Sequence, residues 1–156
     1  MQRKYIVLSL LALVLIGIGA YLYNQREAAA ESLARVRNVV YNFGDELKLV
    51  PTLAPHAEFV TTMNKHYAMY VHPDLLNKWN AEPATAPGRV TSSPWPDRID
   101  IDSMVKNKDG TYTVEAHIVQ KASGQSSTTP ALADIPIRLI ITMGPDGFQI
   151  TDYQTL

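Results

Sequence analysis

The spacing of apolar and polar positions changes along the chain, and each change marks a different element. From Tyr5 to Tyr23 no charge interrupts the apolar residues; Arg3 and Lys4 precede them, and Asn24, Gln25 and Arg26 follow. At about 1.5 Å of rise per helical residue such a run spans roughly 28 Å, close to the ~30 Å hydrocarbon core of a bilayer. From Arg26 to Gly44 the period becomes helical, with Ala29, Leu33, Val36, Val40 and Phe43 on one side and Gly44 in the place of a terminator. A second helix is predicted to open near Pro55 and to carry Phe59, Val60, Met63, Tyr67 and Tyr70 on one broad face. Pro73 restarts a short helix to Trp79, with Leu75, Leu76 and Trp79 as its apolar contacts.

Ala81 to Pro96 reads as a connector, because Pro83, Pro87, Gly88, Pro94 and Pro96 break regular structure. Beyond it the period is two. Ile99 and Ile101 alternate with Asp100 and Asp102, while Tyr112, Val114, Ala116 and Ile118 alternate with Thr113, Glu115 and His117. Asn107-Lys108-Asp109-Gly110 joins these strands as a hairpin turn. After a polar loop from Lys121 to Asp134, the strands Ile135 to Met143 and Phe148 to Tyr153 form a second hairpin around Gly144-Pro145-Asp146-Gly147. The strand from Ile135 to Met143 is the most apolar and is expected at the centre of the sheet. Helices first and hairpins second predict an α+β fold: an N-terminal transmembrane helix, then two to three helices packed on a curled four-stranded antiparallel sheet.

The apolar run fits either an uncleaved signal anchor or a removable signal peptide. Its length favours the anchor, and Tyr21, Leu22 and Tyr23 read as the aromatic interfacial end of a span. The expected division is residues 1–25 as cytoplasmic tip and signal anchor and 26–156 as an extracytoplasmic domain, a single-pass protein of the cell membrane. Secretion after cleavage is the alternative. Orientation rests on Arg3 and Lys4, partly offset by Arg26, Arg35 and Arg37 beyond the run, and on the ease of retaining a short tail.

Charge narrows the partners. Without Arg3 and Lys4 the 14 basic residues fall to 12 against 15 acidic ones, and no basic stripe exists for a phosphate backbone, so nucleic acid is not an expected partner. The absence of cysteine excludes a lipoprotein anchor and disulfide staples.

The order of helices and long hairpins from about Val36 to Tyr153 resembles the nuclear transport factor 2-like, or cystatin-like, cone superfamily. The segments Thr91-Ser92-Ser93-Pro94-Trp95-Pro96-Asp97-Arg98-Ile99, Val40-Tyr41-Asn42-Phe43-Gly44 and Pro73-Asp74-Leu75-Leu76-Asn77-Lys78-Trp79 resemble small membrane-anchored extracytoplasmic proteins of Gram-positive bacteria. These resemblances imply a location and a fold and transfer no catalytic residue. Isomerases and dehydratases of the cone superfamily place a carboxylate, sometimes with a histidine, in the mouth of the cone, which makes Asp100 and His117 the acid-base candidates here, with Asp102 and Glu115 beside them.

Their pairing depends on the turn. A four-residue loop sets Asp100 opposite His117 and Asp102 opposite Glu115; a three-residue loop with a bulge at Gly110 sets Ile101 opposite His117 and disperses the group. Alternating polar residues on a strand are ordinarily its solvated face. His56, His66, His72 and His117 lack ligand spacing, so no metal is expected, and no glycine fingerprint for a phosphate or a dinucleotide is present; cofactors are expected to be none. The Ser and Thr residues from Ser123 to Thr129 have no glycine elbow and read as a flexible loop. Tyr67, Tyr70, Trp79 and Trp95 are the candidates for ligand or partner contact, expected to meet at the rim of the sheet, with core packing and loop pinning as the competing role. The expected function is a membrane-anchored interaction or assembly module without catalysis, engaging the bilayer through residues 5–23 and a membrane or envelope protein through its domain. A binder of small apolar ligands is the alternative, and an isomerase- or dehydratase-like enzyme a weaker one. The anchored cone-fold subunit of bacterial secretion and conjugation machines, a scaffold, is similar in topology.

Overall fold

The computed structural model of the protein describes residues 2–122, 124 and 133–156, with side chains from residue 23 onward except at 133. Three helices pack on a curled four-stranded antiparallel sheet, an α+β arrangement. Two compact units divide between Arg35 and Val36. The first consists of the earlier part of helix α1 (Gln2–Glu46), whose side chains from Tyr23 to Glu31 are exposed. Among the described residues no helix is long and apolar enough to cross a membrane. The expected span, Tyr5 to Tyr23, lies outside the described side chains except for Tyr23, and most of the polar loop from Lys121 to Asp134 lies outside the described residues.

In the second unit the last turns of α1 bury Val36, Val40 and Phe43 completely. Their spacing at i, i+4 and i+7 keeps them on one face, and each such burial contributes about 1.5–3 kcal/mol. Gly44 does not end the helix as its place in the pattern suggests; α1 continues to Glu46 and then tightens into a 3-10 turn, Leu47–Leu49. The glycine serves a different purpose. A Cβ at Gly44 would stand 2.7 Å from the amide nitrogen of Ile99 in strand β1 (Trp95–Lys106), so its missing side chain is what lets helix and strand touch.

Helix α2 (His56–Tyr67) starts one residue after Pro55, which occupies the cap. It stops at Tyr67, so Tyr70 does not share its face as the period predicts. The chain turns away because Tyr70 O accepts the Ile150 amide at 2.8 Å and His72 N donates to Ile150 O at 2.9 Å. That exchange makes a short parallel bridge between Val71 and β4 (Gly147–Thr155), which a continued helix would forbid. Helix α3 (Pro73–Ala81) opens with Pro73 in its first turn, and His72 Nδ1 accepts the Asp74 amide at 3.3 Å. The connector that follows contains a 3-10 turn, Pro83–Thr85, and a second parallel bridge, from Pro51 to Arg89.

Strands β1, β2 (Tyr112–Lys121), β3 (Ala133–Gly144) and β4 form a simple meander in which each pairs with its sequence neighbours. In β3, Ile137, Leu139 and Ile141 are completely buried, while Met143 emerges where the strand enters its turn. The first hairpin realises parts of both expected registers. Near the turn Ser103 opposes Glu115, the shifted pairing, so Asp102 is not opposite Glu115. A bulge between Ile101 and Ser103 then absorbs one residue, Asp102, and beyond it Asp100 opposes His117.

Candidate functional site

The four aromatic candidates do not form one rim. Tyr67 and Trp79 are completely or almost completely buried. With Phe43 and Tyr153 they make a contiguous aromatic core: Phe43 meets Tyr67 edge-on at 4.9 Å between centroids and stacks on Trp79 at 6.4 Å, and Trp79 meets Tyr153 edge-on at 5.9 Å. Sequence reasoning had no reason to add Phe43 and Tyr153, because they come from α1 and β4. Burial pushes the Tyr67 phenol well above its ordinary pKa, helped by the charges of Tyr153 and Glu46. Its hydroxyl donates to Pro87 O at 2.8 Å. Tyr70 is half-buried at the bridge to β4, and Trp95 is half-buried at the start of β1.

On the polar face of the sheet, the acid-base candidates are each engaged. Both carboxylate oxygens of Asp100 accept from Arg98, Oδ1 from Nε at 2.8 Å and Oδ2 from Nη2 at 2.9 Å. His117 Nδ1 lies 3.2 Å from Asp102 Oδ1, on the bulged residue, and not against its cross-strand partner Asp100. Arg138 Nε donates to Glu115 Oε1 at 2.6 Å. These contacts form a ladder of part-exposed ion pairs across the strands. No group of three or more metal-ligating side chains stands together among the described residues.

One end of the sheet is different. Lys48, Leu49, Arg89, Ser92 and Trp95 line an open concavity of about 320 Å³. Each lining segment is fixed independently. Arg89 donates its amide to Val50 O at 2.8 Å and accepts from Thr52 N at 3.0 Å, so its backbone is clamped while its side chain stays exposed. Gly88 allows this, since a Cβ there would stand 2.6 Å from Val50 O. Thr91 Oγ1 donates to Pro94 O at 2.7 Å, closing the loop that carries Ser92, and the Ser93–Pro94 peptide is cis. Lys48 and Leu49 sit on the 3-10 turn.

Lys48 and Arg89 make no ion pair among the described residues, whereas Glu46, two residues before Lys48, and Asp97, two after Trp95, have other partners. Glu46 Oε2 is 2.6 Å from His66 Nδ1, and Asp97 Oδ2 is 2.7 Å from Lys121 Nζ. Burial pushes the Asp97 carboxyl up, but the hydrogen bonds and charges of Lys121 and Arg98 outweigh it and hold the group below the ordinary carboxylate value. Of the sequence candidates the concavity takes only Trp95. Lys48, Leu49, Arg89 and Ser92 were missed because the pairing of Pro51 with Arg89 is non-local; the one local sign is the apolar Leu47, Leu49 and Leu53 beside prolines outside any predicted helix.

No family model and no curated protein matches the chain. Among solved structures, it is similar to the crystal structure of the intermembrane space region of chloroplast protein ARC6, at 15% identity, covering 74% of this chain and 92% of that chain with a TM-score of 0.42.

Proposed function

We propose that this protein is a membrane-tethered, extracytoplasmic interaction or assembly module of the nuclear transport factor 2-like type, without catalysis of its own. The single observation that supports this reading is the packed interior, where Phe43, Tyr67, Trp79 and the half-buried Tyr153 meet ring to ring. The surface concavity at Trp95, built on clamped backbone, supports recognition at the surface. The tether is read from Tyr5 to Tyr23 and the flanking Arg3 and Lys4. A tether of this kind confines the domain to the membrane plane and raises its effective concentration near membrane partners.

Photo-crosslinking of the full chain in its native membrane tests this, with the reactive residue placed at Trp95 and, separately, at Tyr70. Strong recovery of one membrane or envelope protein at either position is the expected result. Background alone at both positions, or fractionation of the full chain away from membranes, overturns the reading.

A further inference from the structure

The concavity has a chemistry more specific than a generic docking surface. Lys48 and Arg89 supply two cations from two different segments, and no carboxylate lines the space between them. Leu49 and Trp95 supply an apolar floor, with Leu49 46% exposed. On the same bridged segments Leu53 is 76% and Val90 58% exposed. The chain as a whole carries a net charge of −1, so this positive, apolar spot is a local departure and not a sample of the general surface.

We infer that the concavity bounded by Lys48, Arg89 and Trp95 binds an extended peptide segment of a partner protein in which acidic residues flank an aromatic or leucine side chain. The inference rests on the interaction-module reading and names the partner's chemistry. An inorganic anion would use the two cations and leave Leu49 and Trp95 in water. A lipid surface would meet the exposed Leu49, Leu53 and Val90 but leave Trp95, half-buried within the concavity, uncovered, and anionic vesicles are the comparator that tests it. An acidic-apolar peptide satisfies both: its apolar side chain covers Trp95 and Leu49, and its carboxylates accept from Arg89 and Lys48 as charge-assisted hydrogen bonds. The planar guanidinium of Arg89 can present two parallel donors to one carboxylate, and its backbone is anchored by Val50 and Thr52.

The test uses detergent-solubilised full chain and a fluorescein-labelled synthetic peptide of alternating Asp and Phe, with an Asn-for-Asp peptide, inorganic phosphate and anionic vesicles as comparators. Anisotropy should saturate with the acidic peptide, rise far less with the Asn version, and weaken with salt. Arg89→Glu and Lys48→Glu should each weaken binding by about tenfold, and Trp95→Ala by a similar factor, since opposed charge and a lost aromatic anchor act on the bound state. Lys106→Glu, on the same strand as Trp95 but at its far end, should leave affinity unchanged. Arg89→Lys keeps the charge and should lose only the paired geometry, a smaller decrease; this variant carries the test if a charge reversal shifts the melting temperature. No saturable binding, equal binding of the Asn peptide, insensitivity to Arg89→Glu, or vesicle binding with the same dependence on Arg89 would each overturn the inference. None of these results bears on the crosslinking at Tyr70, so failure of the peptide chemistry is distinguishable from failure of the module reading.

Discussion

The Tyr67 hydroxyl, in the middle of the aromatic core, donates its hydrogen bond at 2.8 Å to the carbonyl of Pro87, two residues before the exposed Arg89. Core and concavity are thereby joined through one phenol. Tyr67→Phe keeps the ring packing and leaves a buried carbonyl unpaired, so it should cost about 1–3 kcal/mol in urea unfolding. It should also raise hydrogen exchange in Gly88 and Arg89 more than in the sheet, which a purely global loss of stability would not do.

Tyr67 also predicts an alkaline limit. Its folded pKa is raised by burial, so its contribution to stability is complete below the unfolded value of about 10 and is lost as pH rises through the higher folded value. Ultraviolet titration of the phenols should leave a class that ionises only with unfolding. Tyr67→Phe should remove part of that class and flatten the alkaline fall in melting temperature.

Gly44→Ala replaces a helix-disfavouring residue with the best helix former, and propensity alone predicts a gain of about 1 kcal/mol. The backbone of Ile99 at 2.7 Å from the new Cβ reverses the sign. The variant should be destabilised by about 1–3 kcal/mol, as other overpacked sites are. A raised melting temperature would show that α1 and β1 can separate freely.

Asp97 and the largely buried Lys121 predict an acid limit. Because the Asp97 carboxyl is held below its ordinary value, its stabilisation is present above about pH 4 and is lost as pH falls through the lower folded pKa. Asp97→Asn should destabilise at neutral pH by about 1–3 kcal/mol, through the stranded ammonium of Lys121, and should differ less from the parent in strong acid. Thermal melts of both proteins from pH 7 to pH 2 supply the comparison.

His117 and Asp100 predict the opposite, a small effect. Their partners lie on a part-exposed face, so thermal or urea unfolding of His117→Gln and Asp100→Asn should show changes of no more than about 1 kcal/mol each. A loss well above that for either variant would show that its ion pair is worth more than a part-exposed one.

The elements were legible because the periods were clean. Phe59, Met63 and Tyr67 at helical spacing and Tyr112, Val114, Ala116 and Ile118 at alternate positions are the residues that the structure buries. What could not be read was long-range. Tyr70 continues the helical period, yet the helix ends because Ile150, far along the chain, offers backbone partners that a helix would refuse. Gly44 has the look of a terminator and is instead a point of contact with Ile99. Asp102 follows its strand period and is pushed out as a bulge, since the turn at Gly110 and the paired apolar face require registers one residue apart. The concavity was hidden for the same reason, because its cations come together only when Pro51 pairs with Arg89.

The bridge between Val71 and Ile150 also sets an order of events for a chain made from its amino end. The meander can grow strand by strand, each new strand finding its neighbour already present, and such local pairing is fast. The turn between α2 and α3 has no such luxury, because its main-chain partners at Ile150 belong to the last strand. Until β4 is in place, the groups at Tyr70 and His72 stay wet and Trp79 lacks its contact with Tyr153. A chain truncated before β4 should therefore remain open to a protease at Tyr70.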